Sequence, residues 1–494
     1  MSPSFFVFYG INIQSENKIT TMLFNSFEFL FIFLPITYIG YCLLNKFKMY
    51  KPGTVWLLIA SLYFYAYYKI EYLPLILLSI LFNYTIGTVL LKKDLGIFKK
   101  PFLVFGLIGN LGLLCYYKYW GFLTECFNNL FNQDYSVIHL LLPLGISFFT
   151  FQQIAYIVDC YKKDAEDTDI IDYALFVTFF PQLISGPIIH HKEIIPQIKD
   201  VQKRTVDYRN ISLAFFFITI GLAKKVLFAD HLSPFFDETL QNTENLSCIN
   251  GWMFALATAM WGYFDFSGYC DMAIGLGWLF NIMLPANFNS PYQSTDISDY
   301  WRRWHITLGR FLKNYVYIPL GGSRRGTFKT YRNLFIVFLL TGIWHGANIP
   351  CLLYGVVNGV LVSLNKFWKT FKIEINHKFA TFMTFATMVF IVPMIMIPQT
   401  EVCMKVQKAM IGLGNNFELP DFDNFNLIFS NDAKINIVLI ILSLLIIFGC
   451  KNSNEVCEKY VNSNKVVYTA LLAILFVVST LAITKANTFI YFRF

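Results

Sequence analysis

Long apolar runs constrain this chain more than any other feature. They recur at 27–45, 54–70, 73–91, 102–122, 139–158, 211–229, 251–283, 333–349, 351–368, 378–398, 435–449 and 466–484. Runs of about 17 to 25 apolar residues can cross a ~30 Å hydrocarbon core as a helix. A helix satisfies its own backbone polar groups where no water is present. Composition agrees: 56% of the 494 residues are hydrophobic and only 14% are charged, against roughly 25% charged in a soluble domain. The expected fold class is an all-α polytopic membrane protein with about 11–12 transmembrane helices. Soluble multidomain, disordered, secreted-disulfide and collagen-like classes are excluded.

Segment 171–189 is apolar but interrupted by Pro181, Gly186 and Pro187. It reads as a re-entrant hairpin, which must be surrounded by protein. Segment 251–283 reads as a long helix broken by glycine. Stretch 306–320, which ends near Pro319, reads as a helix lying in the membrane interface. Loop charge sets the expected orientation. Loops 46–53 and 92–101 are lysine-rich and assigned to the cytoplasm, whereas 123–138 and 230–250 carry acids and no Lys or Arg. Both chain ends then fall outside. Lys224 and Lys225 lie near the outer end of their span, so they either snorkel or mark a broken helix that lines a polar cavity. Residues 1–21 carry no signal-peptide pattern. They read as a disordered or mis-called extension before one membrane domain at 22–494, whose core motifs span 142–348. No internal repeat is evident, which counts against many transporter folds. The ten cysteines form no CxxC pair and no cluster with zinc spacing, so no metal is expected.

Ionisable residues at membrane depth are costly and are functional candidates by default. His345 lies in Thr341-Gly342-Ile343-Trp344-His345-Gly346-Ala347-Asn348. If its helix enters at Asn333, His345 sits roughly 18 Å deep, just past the midplane. Its unperturbed pKa lies near neutrality, which suits a general base. His305 lies in Trp301-Arg302-Arg303-Trp304-His305, beside two arginines and between interfacial tryptophans. Asp265 and Asp271 fall inside an apolar run and are expected to pair with Lys224 and Lys225 or to satisfy broken backbone. The net charge of +8 also has an address. Arg302, Arg303, Arg310, Lys313, Arg324, Arg325, Lys329 and Arg332 lie in one stretch without an acid. Retention on the inner face explains part of this; a polyanionic ligand could dock at the same patch.

Taken in order, several motifs resemble the membrane-bound O-acyltransferases, in particular the bacterial alginate O-acetyltransferase-like branch related to the teichoic-acid D-alanyl transfer protein. They are Met22-Leu23-Phe24-Asn25-Ser26, the run from Leu142 to Gln152, the run from Phe180 to Ile188, Asp265-Phe266-Ser267-Gly268-Tyr269, and Trp301-Arg302-Arg303-Trp304-His305 followed 40 residues later by Trp344-His345-Gly346. The resemblance implies a ring of helices, rich in re-entrant and interfacial elements, around a thinned central funnel. It implies catalysis by His345, with His305 as the second histidine toward the cytoplasmic mouth. Arg302, Arg303, Trp304, Trp344, Asp265, Asp271 and Asn348 are then expected to support the site or bind the donor. The implied donor is an acyl thioester, acetyl-CoA, with no permanently bound cofactor. The implied acceptor is an extracytoplasmic polysaccharide, reached through an extracytoplasmic esterase-like (SGNH-type) transferase, with membrane lipid around the chain and no nucleic acid. The location implied is the bacterial inner (plasma) membrane. Near the end of the chain, Phe489-Ile490-Tyr491-Phe492 resembles the end of a small partner of the D-alanyl system and makes Tyr491 a candidate acyl relay. His190-His191-Lys192 stand where the branch usually has an arginine, so an anion-binding role there is not carried over. The alternatives are D-alanyl transfer from a carrier protein and a transporter or flippase.

Overall fold

Why the apolar runs become a site follows from where their helices start, stop and bulge. The computed structural model describes residues 22–138, 140–241, 243, 246–413, 433–462, 465–483 and 489–490. The 1–21 extension lies outside them. Among the described residues the chain is helical and has no strand. Six helices among the described residues are long and apolar enough to cross a membrane: Phe29–Lys46, Ile70–Lys92, Gly96–Phe131, Tyr208–Gln241, Ile349–Phe371 and His377–Met396. A seventh span would be the pair Asn436–Gly449 and Ser453–Tyr460, bent by 62°. Tyr50–Tyr68, Cys248–Leu279 and Thr327–His345 are as long but fall outside this set.

Several spans differ from their sequence reading. The 139–158 run forms only Ile146–Tyr161, 16 residues. That is about 24 Å, short of a ~30 Å core. Gly145, at φ +67°, holds the chain in a left-handed turn before this helix begins. A side chain there would meet the Leu183 carbonyl oxygen at 2.5 Å. The 171–189 segment forms two helices, Ile170–Thr178 and Phe180–Leu183, both too short to span, which is compatible with the re-entrant reading. Lys199, beyond the hairpin, donates to the Asp167 carbonyl before it at 2.8 Å, so entry and exit meet.

Residues 248–279 form one continuous helix of 32 residues, not a glycine-broken one. The glycines serve close packing. A Cβ on Gly268 would lie 2.8 Å from the Gly221 carbonyl oxygen, and one on Gly275 would lie 2.7 Å from that of Ala214. The partner helix, Tyr208–Gln241, runs past the expected 230–250 loop boundary. It neither breaks nor lets its lysines snorkel; instead it bulges into a π-turn at Lys224–Ala229. The bulge turns two consecutive lysines onto two carboxylates of the neighbouring helix. Lys224 pairs with Asp271 and Lys225 with Asp265, each at 2.6 Å, and Lys225 also reaches Asp230 at 2.7 Å.

Thr327–His345 and Ile349–Trp368 form a tight hairpin joined by Gly346, Ala347 and Asn348. His345 is therefore the last residue of its helix, at the apex of the hairpin, not a residue in mid-helix. A Cβ on Gly342 would lie 2.3 Å from the Cys351 carbonyl oxygen and 2.7 Å from the Gly355 Cα. Gly342→Ala is accordingly expected to cost about 1–3 kcal/mol by overpacking. A lowered melting temperature in detergent checks this, and an unchanged one contradicts it.

Candidate active site

His345 ends a helix whose last carbonyls have no partner within that helix. A different helix supplies the partners. Within Gly96–Phe131, the residues Cys115–Tyr119 form a π-turn. From it Lys118 donates to the carbonyls of Trp344 (2.5 Å) and His345 (3.2 Å), and the Tyr119 hydroxyl donates to that of Ile343 (2.9 Å). The backbone around His345 is thus pinned from outside its own helix. His345 is 5% exposed and borders a cavity of about 40 Å³ lined by Lys118, Leu144, Ser147, Ser185 and Trp344, among others. The N-terminus of helix Ile146–Tyr161 faces the same cavity through Gly145, Ile146 and Ser147. Both features bring positive potential.

His305 is 1% exposed. It precedes helix Ile306–Leu312 with φ +47°, a backbone state uncommon for a residue with a side chain and enriched at functional sites. Asn287 Oδ1 accepts from the Thr307 amide (3.2 Å) and hydroxyl (3.0 Å). It also contacts His305 Nδ1 at 3.2 Å. That oxygen is an acceptor, so Nδ1 carries the proton and Nε2 keeps the lone pair. Nε2 is buried and has no hydrogen-bond partner among the described residues. The Trp344 ring lies between the two histidines, its centroid 5.8 Å from that of His305 and 4.8 Å from that of His345. Phe148 and Phe151 pack on the same indole.

A family model for the membrane-bound O-acyltransferases matches residues 160–406, a range that contains both histidines and the re-entrant hairpin. The chain belongs to this family. A peptidoglycan O-acetyltransferase of Helicobacter pylori is 38% identical over 98% of this chain and 99% of its own length. A probable alginate O-acetylase of Pseudomonas aeruginosa is 40% identical over 70% of this chain and 66% of its own. A teichoic acid D-alanyltransferase of Bacillus subtilis is 27% identical over 51% and 65%. The chain is a multi-pass membrane O-acetyltransferase.

Not every expected residue of this O-acyltransferase reaches the cavity. Arg302 and Arg303 both pair with Asp299 at 3.3 and 2.9 Å, and the Arg302 side chain is 68% exposed. Trp304 stacks on Tyr300, with centroids 5.7 Å apart, and packs against Phe288. Asn348 caps the second hairpin helix by accepting from the Cys351 amide at 2.8 Å. Asp271 is held by Lys224 and Ser453. Asp265 does more than neutralise Lys225: its Oδ2 accepts the Ile490 amide at 2.8 Å. Phe489 stacks on Tyr269 at 4.5 Å, and the Tyr269 neighbour Phe266 lies 4.9 Å from His305 across its centroids. Phe489 and Ile490 are both buried, and a single ring, Phe266, lies between Phe489 and His305. Tyr491 lies outside the described residues.

Arg310 reaches the re-entrant hairpin, pairing with Glu193 at 2.5 Å and donating to the Ile188 carbonyl at 3.3 Å. Of the basic stretch, Lys313, Arg324, Arg325 and Lys329 are exposed and make no ion pair among the described residues. Lys118 escaped the sequence reading, although a lone lysine inside an apolar run is itself a signal.

Proposed function

We propose that this O-acetyltransferase moves an acetyl group from acetyl-CoA in the cytoplasm to peptidoglycan outside the bacterial inner membrane. The observation that carries this reading is the cavity beside His345. At about 40 Å³ it has room for two or three waters by the usual measure, a volume suited to the three heavy atoms of an acetyl group. End-to-end similarity to a peptidoglycan O-acetyltransferase supports the acceptor. The cavity electrostatics favour acetyl over D-alanyl: among the described residues its lining includes the Lys118 ammonium and no carboxylate, so a cationic aminoacyl group would be repelled.

In this reading His345 takes the proton from an acceptor hydroxyl as its oxygen bonds to the thioester carbon. The tetrahedral intermediate collapses, the C–S bond breaks, and the imidazolium returns the proton to the leaving thiolate. The free His305 Nε2 assists proton movement, and the exposed basic residues Lys313, Arg324, Arg325 and Lys329 hold the CoA phosphates. CoA itself stays in the cytoplasm, since a polyanion does not cross ~30 Å of hydrocarbon. Tyr491 supplies the first acceptor hydroxyl and carries the acetyl group transiently as an aryl ester; when the next hydroxyl attacks, the phenolate leaves and takes up that hydroxyl's proton, and a phenol leaves more readily than a sugar alkoxide. An extracytoplasmic esterase-like transferase completes the transfer, and both chain ends face outward.

Base-released acetate from purified cell walls tests the acceptor. Deletion is expected to remove it and re-expression to restore it. Unchanged wall acetate, with another glycan losing its acetyl groups, would reject peptidoglycan. Peptide mass spectrometry under slow-acceptor conditions tests the relay. An acetylated Tyr491 that disappears in Tyr491→Phe is expected; no adduct, together with full activity in the variant, ends that part of the reading.

A further inference from the structure

We propose that Lys118 is a catalytic residue that stabilises the oxyanion formed during acyl transfer, an inference that rests on the thioester reading above. An ammonium offers three N–H donors. Two meet the carbonyls of Trp344 and His345, and the side chain also lines the cavity that His345 borders. The third donor is used by neither carbonyl, and the ammonium lies 5.8 Å from the Trp344 ring centroid, at the wall of that cavity. Among the described residues no carboxylate pairs with Lys118.

Capping alone does not account for a lysine at this position. Tyr119, one residue on, caps the neighbouring Ile343 carbonyl with a neutral hydroxyl. Keeping an ion inside an apolar wall costs several kcal/mol unless it is compensated. The negative end of helix Thr327–His345 compensates part of that cost. The same arrangement holds the charge rigidly beside the base.

The step balances as follows. The acceptor oxygen bonds to the thioester carbon while His345 takes its proton. The carbonyl π electrons move onto oxygen, and that oxyanion accepts a hydrogen bond from the Lys118 ammonium. When the C–S bond breaks, the electrons return to the carbonyl and the thiolate takes the proton back from His345. Lys118 keeps all its protons throughout. Donors fixed in advance at a developing oxyanion contribute about 10²- to 10³-fold in turnover each.

The test uses the purified full chain in proteoliposomes and two CoA-linked probes. One is a methyl ketone, neutral and trigonal; the other is a methylphosphonate, tetrahedral and anionic. In Lys118→Met, turnover is expected to fall about 10²- to 10³-fold with the KM for acetyl-CoA within about threefold. Phosphonate affinity is expected to fall about 10²-fold with ketone affinity unchanged. Lys118→Gln, which keeps N–H donors for the two carbonyls but no charge, is measured in parallel in case the methionine variant does not fold. It is expected to lose phosphonate affinity as well. A structural cap would lower both affinities together or neither, and that result overturns the proposal. If wild type binds neither probe and does not turn over acetyl-CoA, the thioester reading fails, and this proposal fails with it. Selective loss of phosphonate binding in either variant supports it.

Discussion

His345→Ala is expected to lower acetyl transfer by about 10²- to 10⁴-fold, with expression and melting temperature close to wild type. The reasoning is geometric. The imidazole borders the cavity, and the backbone that aims it is held by Lys118 and Tyr119 through carbonyls the substitution leaves in place. Alanine therefore removes the base without removing its scaffold. His305 differs, because its Nε2 is buried without a partner among the described residues. In His305→Ala, a fall in turnover with donor affinity unchanged marks a chemical role; loss of affinity alone assigns it to donor binding. Wild-type transfer by His345→Ala at equal expression would remove the histidine from the chemistry.

Lys225→Met is expected to be the most destabilising single change in the helix core, by about 3–5 kcal/mol. Lys225 is 3% exposed, faces a fully buried Asp265 and is shared with Asp230. Removing it leaves carboxylates in an apolar interior without a cation. The companion Lys224→Met is expected to cost less, because Lys224 is 17% exposed and Asp271 keeps the Ser453 hydroxyl. Lys225→Met/Asp265→Leu, which removes charge of both signs, is expected to recover part of the loss. Thermal unfolding in detergent ranks the three; equal melting temperatures for Lys225→Met and Lys224→Met would contradict this account. Because Asp265 also receives the Ile490 amide, the same ion pair ties the end of the chain to the helix beside His305.

Much of the fold was legible because one physical demand dominates it. A backbone in hydrocarbon must bond to itself, so apolar runs become helices, and Pro181, Gly186 and Pro187 mark where a run cannot span. The Lys224/Lys225 and Asp265/Asp271 pairing was legible for a similar reason: unpaired charge at that depth is too costly. Helix ends and bulges were not legible. Gly268 looks like a breaker in isolation, and only the neighbouring helix reveals it as a contact surface. Hydropathy also runs unbroken through His345, so its position at a hairpin apex depends on Gly342 and Gly355 meeting in three dimensions. Lys118 was hidden because its partners are backbone carbonyls 226 and 227 residues away, which no side-chain motif can announce.

The central claim is that an acetyl group crosses while its carrier does not. Proteoliposomes of uniform orientation test it most directly, with acetyl-CoA labelled separately in the acetyl group and in the CoA on the cytoplasmic side, and with acceptor glycan plus the partner transferase on the other. The account predicts acetyl label on the glycan, CoA label confined to its own side, and neither movement in His345→Ala. CoA label crossing with the acetyl group, or glycan labelling that persists in His345→Ala, would contradict it.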